Sequence, residues 1–407
     1  MGSFGAHFCL KTAHPPIISQ TLSAFDSFVM QNLFEWSYWG LAFTAVFIVM
    51  WVIQLYYFFN FFVRIASSKL DKEPLDRTIP VSIIISARNE EKNLMEHIPA
   101  IMDQNHKEFE LIVVNDSSWD DTEAILKALH VRYPNMHIIH LDEEKQNMQG
   151  KKFALTLGIK AAKFDQILLT DADCLPLSED WMSRMVANLK DEKKLVLGFS
   201  PYKKYSGWLN KLIRFDTMMI GIQYLGYAKA GVPYMGVGRN LAYTRDLFFS
   251  VGGFKSHYSV SSGDDDLFVN QVGSARNTAV VISPEAQTIS EPKRTWKDWL
   301  FQKKRHLITS PYYKPQHKNL LMFWPISFML MYVGFAGAMV LKNTMLVVGG
   351  MLLVRYIIQL TILHGCSKRL GLHKDIVWLS PFLEIHMHAV NLFVYITNLV
   401  RKPQKWN

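Results

Sequence analysis

The chain has 407 residues, 49% hydrophobic and 13% aromatic, with only 19% charged, which excludes a disordered chain and argues against an ordinary soluble protein. The net charge of +9, from 44 Lys and Arg against 35 Asp and Glu, suits nucleic acid, an anionic membrane face or phosphorylated substrates. Three scattered cysteines (Cys9, Cys174, Cys366) form no CxxC pair, so neither a disulfide framework nor a zinc knuckle is present.

In chain order, residues 1–37 form an N-terminal segment in which 21–33 reads either as a short interfacial helix or as a loosely ordered tail. Residues 38–63 carry no ionisable side chain. About 20 apolar residues cross a bilayer as a helix, so this run spans with room to tilt. Asp26 and Glu35 precede it, whereas Arg64, Lys69 and Lys72 follow. The positive-inside bias places residue 64 onward in the cytoplasm. The expectation is a multi-pass cell-membrane protein with its middle domain in the cytoplasm.

Residues 70–315 alternate short apolar runs with helical patterns. The runs 81–87, 109–114, 136–141, 166–170 and 194–199 read as buried strands, and 90–103, 120–131 and 152–162 as helices between them. That alternation predicts an α/β domain with a mostly parallel sheet covered on both faces. A long segment, 206–230, reads as a helix packed on the sheet, with an interfacial position as the alternative. Residues 319–400 form a C-terminal membrane region of two or three helices: an uncharged run at 320–341, a second at 345–363 with Arg355 inside it, and a third at 376–400 containing Glu384, His386 and His388. The last either crosses or is a Pro381-broken or interfacial helix.

Open parallel sheets bind ligands beyond the carboxyl ends of their strands, and two predicted strands end in acid. LIVVNDSSWDDT places Asp116 at one end, and QILLTDADCLP places Asp171 and Asp173 at another. Residues i and i+2 of an extended chain point the same way, so Asp171 and Asp173 can share one site, where a divalent cation would relieve their repulsion. Such oxygen ligands suit Mg²⁺ or Mn²⁺. The sequence after the first strand is SARNEE, without GxGxxG, and no GxxxxGK[ST] occurs. This argues against a dinucleotide oxidoreductase and excludes a P-loop NTPase. Positive charge for a phosphate partner is available from Lys151 and Lys152, at a helix start, and from Arg305. Further on, SSGDDDLF places Asp264, Asp265 and Asp266 in a row. Mutual repulsion makes one of them a candidate general base, with an acidic helix start as the plainer alternative. In TWKDWLFQKKRHL, Gln302 and Arg305 share a helical face. No basic stripe or aromatic platform appears, so no nucleic-acid partner is expected.

The order of these motifs resembles the membrane-integral family-2 GT-A glycosyltransferases, the group of cellulose, hyaluronan and chitin synthases and ceramide glucosyltransferases. The resemblance covers about residues 80–311. SARNEE is similar to the opening nucleotide loop, VVNDSSWDDT to VVDDGSTDGT, GKKFALTLGIKAA to GKxxALNxGL, and TDAD supplies the DxD. MGVGRNLAYTRDLFFSVGGF is similar to GxNxxxRxxxFxxVGGF, SGDDDL to EDxDL, and QKKRH to QxxRW. Three departures stand out: Asn115 replaces the first acid of the DD pair, Gly263 stands at the Glu of EDxDL, and His306 replaces the Trp of QxxRW.

The resemblance implies an inverting transfer from a UDP-linked nucleotide-sugar to a lipid-linked or glycan acceptor at the cytosolic membrane face. It implies that Asn89, Glu90 and Asp116 hold the nucleoside, and that Asp171 touches the ribose and diphosphate. Asp173 binds the metal, with Asp171 beside it. Lys151 and Arg305 would supply positive charge to the leaving diphosphate, and Gln302 and His306 complete the acceptor side. Asp264 aligns with the catalytic base, and a one-residue slip makes it Asp265. The alternatives are a processive polysaccharide synthase with coupled secretion, which His306 and the small number of spans disfavour, and an inactive GT-A-fold scaffold, which the intact acids disfavour.

Overall fold

A computed structural model describes residues 38–69, 75–142, 150–339 and 344–400. The expected interfacial helix at 21–33 and the closing charges Arg401, Lys402 and Lys405 lie outside these residues. The described residues fall into two compact units, one within Met1–Ile53 and Ile326–Arg355, the other within Gln54–Pro325 and Tyr356–Asn407.

The chain enters the described region on α1 (Tyr38–Ala66), an apolar helix of 29 residues with one π-helical turn at Phe58–Phe62. The larger unit continues with β1 (Val81–Ala87), α2 (Glu91–Met102), β2 (Phe109–Asp116), α3 (Thr122–Arg132) and β3 (Met136–Leu141). It continues through α4 (Lys151–Ala161), β4 (Gln166–Leu169), β5 (Cys174–Pro176), α5 (Trp181–Val186) and β6 (Leu195–Leu197). After α6 (Trp208–Lys229) come β7 (Leu241–Thr244), α7 (Arg245–Ser250), α8 (Asp266–Val272), β8 (Thr278–Val280), β9 (Thr288–Ser290) and α9 (Trp296–His306). The last helices are α10 (Pro315–Met339), α11 (Met345–Arg369), α12 (Asp375–Trp378) and α13 (Ser380–Val400).

Seven strands form one sheet in the order β3-β2-β1-β4-β7-β6-β8. Pairing is parallel throughout β3, β2, β1 and β4, and again between β6 and β8. Strand β7 runs against both of its neighbours. The fold is therefore the expected α/β architecture with a mostly parallel sheet, and β7 is the departure. Runs such as VSIIISA and LIVV are buried on both faces. Each large apolar side chain so buried contributes on the order of 2 kcal/mol.

The reversed strand matters for position. Leu241, the first residue of β7, pairs with Leu169, the last of β4. The segment before β7 therefore arrives at the same rim as the residues after β4. A two-stranded ribbon, β5 with β9, stands beside that rim and begins at Cys174.

Helix α6 is mostly buried, so its long apolar pattern is used for packing. Among the described residues three helices, α1, α10 and α11, are long and apolar enough to cross a membrane. The 376–400 run is different: among the described residues α13 is not one of these three. It packs along α6 and α9 and exposes Phe382, Ile385, Phe393 and Leu399 on its outer side. Within the smaller unit, Phe47, Phe328, Met331, Ala338 and Val348 form the core. There the Arg355 guanidinium lies over the Phe328 ring, 5.3 Å from its centre.

Candidate active site

The loops after β1 and β2 are laced together. Asn89 takes a left-handed backbone (φ 57°), which Asn tolerates better than most residues. Its amide donates to Ser118 Oγ at 2.9 Å, and its side-chain oxygen accepts from the Trp119 amide at 3.0 Å. Asn89 thus spends its side chain on shaping the loop. The Glu90 amide donates to Thr122 Oγ1 at 2.9 Å, and its carboxylate accepts from Asn93. Burial, with further repulsion from Asp173 and Asp171, raises the Glu90 pKa against the Asn93 hydrogen bond. Asp116 is the buried last residue of β2, and its charge adds to burial in raising the Tyr258 hydroxyl.

Beyond β4, the Asp171 carboxylate accepts from Lys151 Nζ at 2.8 Å. The same ammonium lies 2.9 Å from Asp264 Oδ2. Lys151 therefore bridges the strand-end acid and the first acid of the triplet. Burial opposes its charge, but the surrounding acids raise its pKa well above the ordinary value. Asp173 is raised by burial and by Asp171, with Arg239 opposing. Asp171, Asp173 and Cys174 present ligand atoms within 4.8 Å of one another. Burial pushes the Cys174 thiol up, and it lies 3.0 Å from Ser290 Oγ. The two carboxylates offer hard oxygen donors, a donor set that fits Mg²⁺ or Mn²⁺.

The triplet divides its work. Burial alone would raise Asp264, yet Lys151 holds it below the ordinary carboxylate range. Asp265 accepts from the Gly238 amide at 2.8 Å and caps α8 through the Asp266 amide at 2.7 Å. Burial and its two acidic neighbours push it up to about 7. Asp266 turns away, accepting from Thr309 Oγ1 and from the Tyr313 hydroxyl. Lys152 is buried and donates to the carbonyls of His257 at 2.7 Å and Val260 at 3.0 Å, fixing the loop ahead of the triplet. Burial brings its pKa down to about 8. Of the two helix-start lysines, only Lys151 is in contact with the acids of the rim.

Residues before β7 complete the rim. The Arg239 guanidinium lies 4.5 Å over the Tyr202 ring. Its carbonyl is pinned by Thr170 and Thr288 hydroxyls at 3.0 and 2.9 Å. Gln302 of α9 donates to the Tyr202 hydroxyl at 3.2 Å. His306, in the last turn of α9, remains open to solvent. The structure thus gathers Lys151, Asp171, Asp173, Asp264 and Asp265, with Glu90 electrostatically linked, while Gln302 joins through Tyr202. Arg239, Tyr202 and Cys174 were missed by sequence reasoning. The signal was their neighbours: Arg239 stands in MGVGRN and Cys174 directly follows the DxD.

A family profile for glycosyl transferase family 2 matches residues 82–249, and one for glycosyl transferase family group 2 matches 166–382, more than half of the chain. The chain belongs to glycosyl transferase family group 2. This chain is similar to the poly-beta-1,6-N-acetyl-D-glucosamine synthase of Staphylococcus aureus, 28% identical over 40% of this chain and 39% of that one. It is also similar to the glycosyltransferase AglE of Haloferax volcanii, 27% identical over 46% of this chain and 60% of AglE. The matched segment spans about two fifths to three fifths of these relatives. Among solved structures it is similar to the mannosyltransferase PcManGT from Pyrobaculum calidifontis, in complex with GDP-Man and Mn²⁺. That likeness has TM-score 0.55 and 19% identity, and covers 82% of this chain and 97% of the other. The GT-A fold is common to both.

Proposed function

We propose that this glycosyltransferase moves a sugar from a nucleotide-sugar, UDP-linked by the resemblance, to a lipid-linked or glycan acceptor by a single inverting displacement at the cytosolic face of a membrane. The observation that carries the proposal is the Lys151 ammonium, shared between Asp171 of the DxD and Asp264 of the triplet. It ties the donor side of the rim to the acceptor side across a few ångströms. The coupled loops around Asn89, Glu90 and Asp116 form the nucleoside end. Asp171 and Asp173 would hold Mg²⁺ or Mn²⁺, which neutralises a leaving diphosphate when bound. Lys151, Arg239 and Arg305 place fixed positive charge along the same edge, worth more inside a partly dry cleft than in water. Asp264 accepts the proton of the attacking hydroxyl, and its ionised state at neutral pH suits that role. A second assignment rests on position: Asp265 stands in the same rim, held by the Gly238 amide, and burial with its two acidic neighbours pushes its pKa up to about 7, which suits a general base at neutral pH.

The donor screen is direct. Purified full-length protein is incubated with UDP- and GDP-sugars, Mn²⁺ and a lipid extract, and nucleotide release is followed. Extract-dependent release, lost with EDTA and reduced at least about a hundredfold by Lys151→Met, is expected; release unaffected by both would contradict the proposal. Product length then separates transfer of one or a few sugars from processive polymerisation, which the poly-N-acetylglucosamine synthase relative favours.

A further inference from the structure

The DxD turn is held from behind by a residue that the transfer chemistry does not use. On α2, Leu94, His97, Ile98 and Ile101 recur at helical spacing and form the buried face. Three of these four side chains are apolar. An imidazole in such a row is costly to bury unless its polar atoms find partners. His97 is 3% exposed, and its Nδ1 lies 2.9 Å from the Ala172 carbonyl oxygen. A carbonyl oxygen only accepts, so Nδ1 carries the proton and donates it to this bond.

Ala172 is the middle residue of the DxD. Its methyl group belongs to the same apolar core as Leu94, Ile98 and Ile101, while its carbonyl ends on His97. The Asp171 carbonyl accepts from the Cys174 amide at 3.1 Å, which closes the turn. Just past the turn, α2 packs against β5. The backbone between the two acids is thus tied down at successive carbonyls, one of them by a side chain. Metal ligands depend on such outer partners, whose loss typically costs about 10–100-fold in metal affinity. We propose that, with Asp171 and Asp173 read as the metal ligands, His97 is the positioning residue of that site: through the Ala172 carbonyl it sets how both carboxylates face a divalent cation. The ligand atoms gathered at the rim are those of Asp171, Asp173 and Cys174, and His97 acts on them from one bond further back.

The test reads metal binding and needs no sugar donor. Full-length protein in dodecyl maltoside is titrated with Mn²⁺, alone and with UDP, and the bound ion is followed by electron paramagnetic resonance. His97→Leu keeps the buried face of α2 apolar but leaves the Ala172 carbonyl without its donor. It is expected to weaken Mn²⁺ binding about tenfold or more. His97→Asn carries an amide nitrogen close to where Nδ1 stands, and is expected to bind within about threefold of the wild type. His97→Gln is equally polar but holds its amide one methylene further out, and is expected to weaken binding as His97→Leu does. Comparing Asn with Gln keeps the test decisive where His97→Leu lowers the thermal unfolding midpoint. Equal Mn²⁺ binding by the wild type, His97→Leu and His97→Gln would overturn the proposal. So would a His97→Asn protein with a wild-type midpoint that binds as weakly as His97→Gln. A wild type that binds no Mn²⁺, with or without UDP, would overturn the metal reading itself and this proposal with it.

Discussion

Asp264 and Asp265 are consecutive, yet the protein drives their acidities apart. One oxygen of Asp264 rests on Lys151, which lowers its pKa, whereas Asp265 faces two acids and burial and rises to about 7. A base works only when ionised, so kcat/KM falls as pH drops through its pKa. If Asp264 is the base, activity persists well below pH 7 and Asp264→Asn removes it, while Asp265→Asn retains it. If Asp265 is the base, the acid limb lies near pH 7 and Asp265→Asn is the silent enzyme. The pH profiles of the two variants decide. The triplet was legible as a candidate site from GDDDL alone, but the split was not, because it depends on a lysine over a hundred residues away. The Gly at the family's Glu position also acquires a reason. Gly263 has φ +99°, and a Cβ there would stand 2.5 Å from Leu267, so a side chain is excluded twice over.

At the scale of elements, the parallel half of the sheet and its helices were visible in the sequence because buried strands are continuous apolar runs. Observed boundaries differ by only one or two residues: 90–103 became Glu91–Met102, and 194–199 shrank to Leu195–Leu197. Strands β5, β7, β8 and β9 were not foreseen. They are three or four residues long, too short for a periodicity to register. Missing β7 is what hid Arg239, since only the reversed strand delivers it beside Asp171. Helix α4, which carries Lys151, sits directly on the sheet at Gly158, where a Cβ would come within 2.6 Å of the Ile84 side chain. Gly158→Ala should therefore cost about 1–3 kcal/mol through overpacking and displace Lys151, seen as a lower unfolding midpoint together with reduced turnover. An unchanged midpoint would show that α4 tolerates the shift.

Over the whole sequence, an uneven distribution of apolar residues sets the segment that bears the sheet apart from three helices, among the described residues, long and apolar enough to cross a membrane. Composition announced this division at once. It did not announce the placement of α13, whose apolar count resembles a span but whose Glu384, Met387 and Val394 are buried in the fold. Period and charge together, not apolar content, distinguish a crossing helix from one laid along a domain. The expected outcome of membrane crossing by these described helices is that the protein stays with the membrane pellet through an alkaline carbonate wash; release into the supernatant would show surface attachment only.

The account as a whole requires that carboxylates from separate segments form one metal-assisted nucleotide site. Calorimetric titration of full-length protein with UDP, with Mn²⁺ and then with EDTA, addresses this for the wild type and Asp173→Asn. Binding that needs Mn²⁺ and is weakened at least about tenfold in Asp173→Asn is the predicted result. Nucleotide binding of equal strength without metal, and unchanged by the substitution, would contradict it.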